Sequence, residues 1–133
     1  MISPLVIMFF MTSNLQTTAI PSLSPCPERP NCVSSQATDS HHIAPLEVTG
    51  DARRAFDRLR TLLAERPDTK IIAADDATIR VEFRTLLGFV DDGIFVLDSA
   101  NSLIHVRSAA RLGYWDLGKN RSRIEEIRQA VKE

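Results

Sequence analysis

The sequence predicts a two-layer α+β domain, in which a four-stranded antiparallel meander is flanked by an N-terminal and a C-terminal helix. Three observations predict this class: an early amphipathic helix, four short strand-like segments, and a final amphipathic helix. Because the links between successive strands are short, antiparallel pairing is favoured. With 44% hydrophobic and 25% charged residues, the composition is that of an ordinary globular domain.

The first helix is predicted from Ala52 to Glu65, where apolar residues recur every three or four positions and arginines fill the gaps. Thr49 or Asp51 is the expected N-cap. Pro67 is expected to end the helix, because proline cannot continue the hydrogen-bond ladder.

Four strands are predicted between the helices; the third is compact and apolar, and the fourth has Ile104 and Val106 on one face. In the second, Ile79, Val81 and Phe83 alternate with charged residues, which indicates one buried face. Loops are expected at 31–45 and 86–93, the second containing Gly88 and Gly93. The strands are predicted at 70–74, 79–84, 94–97 and 103–108.

The last helix is predicted to start at Ser122, because Glu125 lies three residues later in a capping-box pattern. Ile124, Ile127 and Val131 then form its buried stripe.

Residues 1–25 are predicted to be a leader, and residues 26–133 a single domain. The apolar run Ile2 to Met11 has the length of a secretory h-region and is too short for a membrane span. Small residues before and at Ala19 favour cleavage after that position. No Lys or Arg precedes the run, so a disordered N-terminus is the competing interpretation. Pro25 before Cys26 disfavours a lipoprotein signal.

Cys26 and Cys32 are the only cysteines. A zinc site needs more ligands and a redox pair usually has two intervening residues, so both are disfavoured. An exported chain would join them in a disulfide, whereas a cytosolic chain would keep two free thiols.

The segment from Arg107 to Arg123 is the most distinctive in the sequence, because it gathers arginines and two glycines, Gly113 and Gly118, before a helix. Arginine forks and helix N-termini both favour carboxylate or phosphate ligands. The candidate ligand-binding residues are Arg107, Ser108, Arg111, Asp116, Asn120, Arg121 and Arg123.

A structural interpretation of the same segment stays open. Asp91 and Asp92, predicted as a supporting acidic loop, and Asp116 can pair with these arginines within the chain, and Asn120 can cap the helix. The segment would then be an internal salt-bridge clamp.

Catalysis is a third interpretation, in which Ser34 or Ser35 acts as a nucleophile with a histidine, His41 or His42. Two adjacent histidines rarely converge on a metal, so no metal site is predicted. No phosphate-binding glycine loop is present, and no cofactor is predicted. A net charge of −1 and a single Trp and Tyr argue against nucleic-acid binding.

Three motifs resemble the family known as domain of unknown function 1499 (DUF1499), and the resemblance spans about residues 26–131. They are Cys26 to Ser35, Gly88 to Asp92, and the block from Arg107 to Arg123. The resemblance implies a small exported, envelope-associated or organellar protein, and it implies no reaction and no catalytic residue. Two positions depart from the family pattern: Ala110 stands where serine is usual, and Trp115 where a small residue is usual.

The sequence therefore predicts an exported, periplasmic or envelope-associated domain that binds an anionic small molecule or an envelope protein through its arginine-rich loop. It is expected not to be an enzyme and to have no transmembrane span in the mature chain. The alternatives are a structural envelope protein, with the loop as a clamp, and a hydrolase using Ser34 or Ser35.

Overall fold

The computed structural model of the protein describes residues 22–132, so that most of the predicted leader, residues 1–21, lies outside the described residues. A short 3₁₀ turn, Ser99–Asn101, joins the last two strands. The elements in chain order are β1 (Cys32–Ser34), β2 (Leu46–Glu47), α1 (Ala52–Glu65), β3 (Thr69–Ala74), β4 (Thr78–Arg84), β5 (Val90–Asp98), β6 (Leu103–Ala110) and α2 (Lys119–Lys132).

The strands form one antiparallel sheet in the order β1–β6–β5–β4–β3, and β2 pairs with β6 beside β1. The predicted α+β class is confirmed, but the predicted number of four strands is wrong, because the sheet formed by residues 22–132 has six. The four predicted strands correspond to β3–β6. β1 lies inside the segment 31–45 that was predicted to be a loop. With three and two residues, β1 and β2 are too short to show a period-two pattern.

Both helices pack on one face of the sheet, where their apolar stripes meet the alternating apolar residues of the strands. Asp51 is the N-cap of α1 and accepts a hydrogen bond from the Arg54 amide, as one of the two predicted caps. Neither helix has the length and apolar character needed to cross a bilayer, within residues 22–132. The core side chains are dominated by Phe56, Leu59, Leu63, Phe83, Phe95, Ile104, Val106, Ile124 and Ile127.

The predicted loop at 86–93 is wrong at its C-terminal end, because β5 begins at Val90. Gly93 therefore lies within a strand. A β-carbon at this position would come 2.6 Å from the Phe83 ring and 2.8 Å from Val81. Glycine is needed there for packing space and not for a turn.

The start of α2 also differs from the prediction, since the helix begins at Lys119 and Ser122 lies inside it. The carboxylate of Asp116 accepts hydrogen bonds from the amides of Gly118 and Asn120, at 2.9 and 3.0 Å. Asp116 thus satisfies the free amides that the capping box was expected to satisfy.

Candidate functional site

The face of the sheet opposite the helices, here called the outer face, carries a row of polar residues. Strand pairing aligns Arg80 with Ile94, Ile94 with Arg107, and Arg107 with Ser34. Directly paired residues point to the same face of a sheet. The two arginines are therefore separated by one intervening strand, about 10 Å between their backbones, and the apolar Ile94 lies between them.

The N-terminal residues 22–26 lie on this outer face and are fixed by a disulfide. Cys26 and Cys32 are bonded, with their α-carbons 5.7 Å apart, which confirms the predicted pairing. The Leu23 side chain is buried, and its amide donates to the Gln36 side chain at 2.8 Å. The bridge thus ties residues 22–25, which were assigned to the leader, to β1.

A cleft of about 210 Å³ separates this N-terminal segment from the sheet, and Arg107 lies on its floor. Arg107 donates from Nη2 to the Pro25 carbonyl at 3.2 Å. Its Nε is shielded from solvent and has no hydrogen-bond partner among the described residues. Burial lowers the pKa of Arg107, and the nearby charge of Asp92 partly offsets that effect. We call this space the Arg107 cleft; its polar lining is completed by Ser22, Ser24, Thr78 and Arg80.

Arg111 is half-exposed, and its guanidinium contacts two acidic residues of the sheet. Its Nε and Nη2 donate to the two oxygens of Asp92 at 3.2 and 2.7 Å, and Glu82 lies 3.4 Å away. These hydrogen bonds raise the pKa of Arg111 above its usual value. The fork of Arg111 is therefore already filled by a carboxylate of the same chain.

Arg123 is buried and paired with Asp91, at 2.8 Å between Nη1 and Oδ2. Its guanidinium also lies over the Phe83 ring, 4.5 Å from the centroid. Asp91 and Asp92 were predicted to form one acidic loop, and that prediction is wrong. They are consecutive residues of β5 and point to opposite faces, so that Asp91 meets α2 and Asp92 meets Arg111.

Asn120 is fully buried and joins three segments of the chain. Its Oδ1 accepts from the Ser108 hydroxyl at 2.6 Å, and its Nδ2 donates to the Asn31 carbonyl and to Asp116, at 3.2 and 2.7 Å. The Asn31 side chain in turn donates to the Gly113 carbonyl at 2.7 Å. Ser108, Asp116 and Asn120 therefore hold the β6–α2 loop against the start of β1.

Arg121 is also bound within the chain. It donates to the carbonyls of His42 and Ser40, at 2.9 and 3.1 Å. Of the four arginines in the predicted site, Arg107 is thus the one with a buried donor left unpaired among the described residues.

Ser35 lies beside a histidine, but not one of those near it in sequence. Its hydroxyl is 3.3 Å from Nδ1 of His105, whose Nε2 is 3.2 Å from the buried carboxylate of Asp98. The amide of Val106 also donates to the Ser35 hydroxyl at 2.9 Å. His41 instead contacts Asp39 and the carbonyl of Arg29.

The sequence analysis did not identify four residues as members of the site: Thr78, Arg80, Asn31 and Asp98. The alternation in β4 gave the signal for Arg80, since it separates the charged residues from the core residues. Placing Arg80 on the same face as Arg107, one strand away, also needs the register of β4, β5 and β6, which the sequence does not specify.

No curated protein and no solved structure is significantly similar to the chain. A family model described as a protein of unknown function (DUF1499) matches residues 22–131. This range starts within the segment that covers the outer face and includes both the disulfide and the whole β6–α2 loop. The chain therefore belongs to the DUF1499 family.

Proposed function

We propose that the protein is a binding domain that takes a small anionic ligand, a carboxylate or a phosphate, in the Arg107 cleft. The observation that carries this proposal is the buried Nε of Arg107, which has no partner among the described residues. A buried donor without a partner is costly, and a ligand oxygen beside it would remove that cost. Arg80 and the hydroxyls of Ser22, Ser24 and Thr78 supply further donors.

The charge of the cleft also favours an anion. Asp92 is its acidic residue, and the bidentate contact with Arg111 neutralises it. Arg80 is exposed and makes no ion pair with the described residues. The two remaining arginines therefore give the cleft a positive charge, while its volume of about 210 Å³ limits the ligand to a small molecule.

The alternative role, an internal clamp, is supported for the rest of the arginine-rich loop. Arg111, Arg121 and Arg123 each have partners within the chain. We therefore assign binding to Arg107 and stabilisation of the fold to the other three arginines.

We further propose that the protein works in an oxidising compartment outside the cytoplasm. The Cys26–Cys32 disulfide supports this location, since such bonds persist where thiols are not kept reduced.

The test is calorimetric titration of the full chain with phosphate and with citrate. We expect Arg107→Gln to weaken binding at least about tenfold, because a charge-assisted contact is lost. The matched control is Arg58→Gln on α1, an exposed arginine outside the cleft. If Arg107→Gln and Arg58→Gln bind both anions as the wild type does, the proposal is wrong.

The Ser35–His105–Asp98 chain favours a second candidate function, an acyl hydrolase, because it has the order of a nucleophile, a base and an orienting acid. Ser35 is also tied to β6 through both its amide and its hydroxyl, which supports a structural role. A fluorophosphonate probe separates the two. Labelling of Ser35 that disappears in His105→Ala would support the hydrolase, and an unlabelled folded protein would exclude it.

A further inference from the structure

Exposed apolar side chains are concentrated on two loops. Of the eight large hydrophobic residues that are exposed in residues 22–132, seven lie in the β4–β5 loop or the β6–α2 loop, and the eighth is Ile72. Leu86 has 104% of its reference surface exposed, and Trp115 has 67%. We call these seven residues the apolar rim; they are Leu86, Leu87, Phe89, Leu112, Tyr114, Trp115 and Leu117.

The two loops lie side by side at one end of the sheet. The first loop leads into β5 and the second leaves β6, and these strands are paired through Asp91 and Ala110. Beyond that pair, the Arg111 amide donates to the Val90 carbonyl at 3.0 Å. The apolar side chains of both loops are therefore presented at the same end of the molecule.

The main chain of both loops is held by hydrogen bonds. In the first, the Thr85 amide donates to the Phe89 carbonyl at 2.8 Å, and the Phe89 amide donates to the Thr85 hydroxyl at 3.1 Å. In the second, the Gly113 carbonyl accepts from Asn31, and Asp116 accepts from two amides. The exposed side chains are thus carried on an ordered backbone whose polar groups are partly satisfied already.

Two cations stand directly behind the apolar rim. Arg84 ends β4 and Lys119 begins α2, both are exposed, and neither makes an ion pair with the described residues. With Leu86 they line a cavity of about 420 Å³. The acidic residue of that cavity, Asp68, is engaged by Arg66 at 3.0 Å, so a positive charge remains.

We propose that the apolar rim docks on an anionic lipid bilayer, with the two loops entering the interface and Arg84 and Lys119 contacting headgroup phosphates. Exposed leucine, phenylalanine, tryptophan and tyrosine on two adjacent loops, with cations where β4 ends and α2 begins, are the residue types that favour a bilayer interface. A side chain as exposed as Leu86 stands clear of its neighbours, which suits insertion into lipid better than a flat protein contact.

Trp115 is the only tryptophan of the chain and reports on the apolar rim directly. The full chain is mixed with vesicles of phosphatidylcholine alone or of phosphatidylcholine with phosphatidylglycerol. We expect a blue shift of Trp115 emission and protection from acrylamide quenching with the anionic vesicles, weakened by added salt. An unshifted spectrum with both vesicles overturns the proposal, even if the chain sediments with them through its N-terminal residues.

Vesicle flotation and Trp115 emission of variants test the apolar residues and the cations separately. Leu86→Ser combined with Leu87→Ser is expected to reduce affinity for anionic vesicles roughly tenfold or more. The matched control is Ile72→Ser, an exposed apolar residue outside the apolar rim, which should bind as the wild type does. Arg84→Gln and Lys119→Gln should each reduce affinity about fivefold, and only for anionic vesicles. Equal losses for Ile72→Ser would contradict the assignment.

Self-association would indicate that the apolar rim contacts a second copy of the chain and not a bilayer. Sedimentation velocity of the full chain without lipid tests this. We expect no dimer that depends on the apolar rim, that is, no dimer that is present in the wild type and lost in the Leu86→Ser/Leu87→Ser variant. A dimer of that kind would make the apolar rim an interface between copies of the chain and overturn the bilayer proposal.

Discussion

The guanidinium of Arg123 lies 2.8 Å from the carboxylate of Asp91, and both side chains are almost entirely shielded from solvent. Arg123 belongs to α2 and Asp91 to β5, so the pair connects the two layers of the fold. The charge of Arg123 is further satisfied by the Phe83 ring beneath it. This pair is therefore the strongest support for an internal role of the arginine-rich loop.

Removing one partner of this pair should be costly. We expect Asp91→Ala to lower the free energy of unfolding by about 3–5 kcal/mol, because it removes the closest carboxylate from the buried charge of Arg123 and leaves the carboxylate of Asp68 at 4.0 Å. Urea denaturation measures the loss. The matched control is Asp57→Ala, which breaks the exposed Arg53–Asp57 pair and should cost less than about 1 kcal/mol. Similar losses of unfolding free energy in both variants would show that the Arg123–Asp91 pair stabilises the fold no more than an exposed pair does.

The elements that could be predicted from the sequence are those with a long periodic pattern. The first helix shows a helical period and β4 shows a period of two, because each buries one face over many residues. β1 and β2 are too short for any period, and their pairing with β6 depends on tertiary contacts. The start of α2 was misplaced because Asp116 takes the role that the Ser122 pattern suggested.

The candidate site was only partly predictable. The sequence identified the arginines and the acidic residues, but not which of them are partners. Asp91 and Asp92 are adjacent, and the alternation of a strand sends one to Arg123 and the other to Arg111. A loop assignment at these residues hid that alternation. The cleft itself depends on residues 22–25 folding back over the sheet, which no local pattern indicates.

Reducing the disulfide should affect both stability and binding. Dithiothreitol, or the double change Cys26→Ser and Cys32→Ser, is expected to lower the free energy of unfolding by about 2 kcal/mol, because the unfolded chain gains entropy. Anion binding should weaken as well, since residues 22–24 form one wall of the Arg107 cleft. Urea denaturation and calorimetric titration measure the two effects. An unchanged unfolding midpoint after reduction would contradict the first, and unchanged titration the second.

Stability should also fall as the pH rises through the titration of His41. The hydrogen bond with Asp39, helped by the carbonyl of Arg29, raises the pKa of His41 above its unfolded value. A raised pKa in the folded state means that this contribution is complete below about pH 6.5 and is lost as the pH passes the folded value. His41→Gln should remove that part of the pH dependence, which thermal unfolding across neutral pH can measure. Identical slopes in the wild type and the variant would exclude His41 as the cause.

Leu117 has a left-handed backbone, with φ at 57°, although it is not glycine, and its side chain is exposed in the apolar rim. This conformation disfavours a side chain and favours glycine. We therefore expect Leu117→Gly to be more stable than Leu117→Ala by about 1 kcal/mol, because only the glycine relieves the strain. Both variants should bind anionic vesicles more weakly than the wild type, since both lose the same apolar side chain. Urea denaturation measures the strain, and equal stability of the two variants would argue against it. Vesicle flotation measures docking, and a variant that floats with vesicles as the wild type does would argue against a part for Leu117. The core does not use this exposed side chain, so contact with lipid is the role that we propose for it.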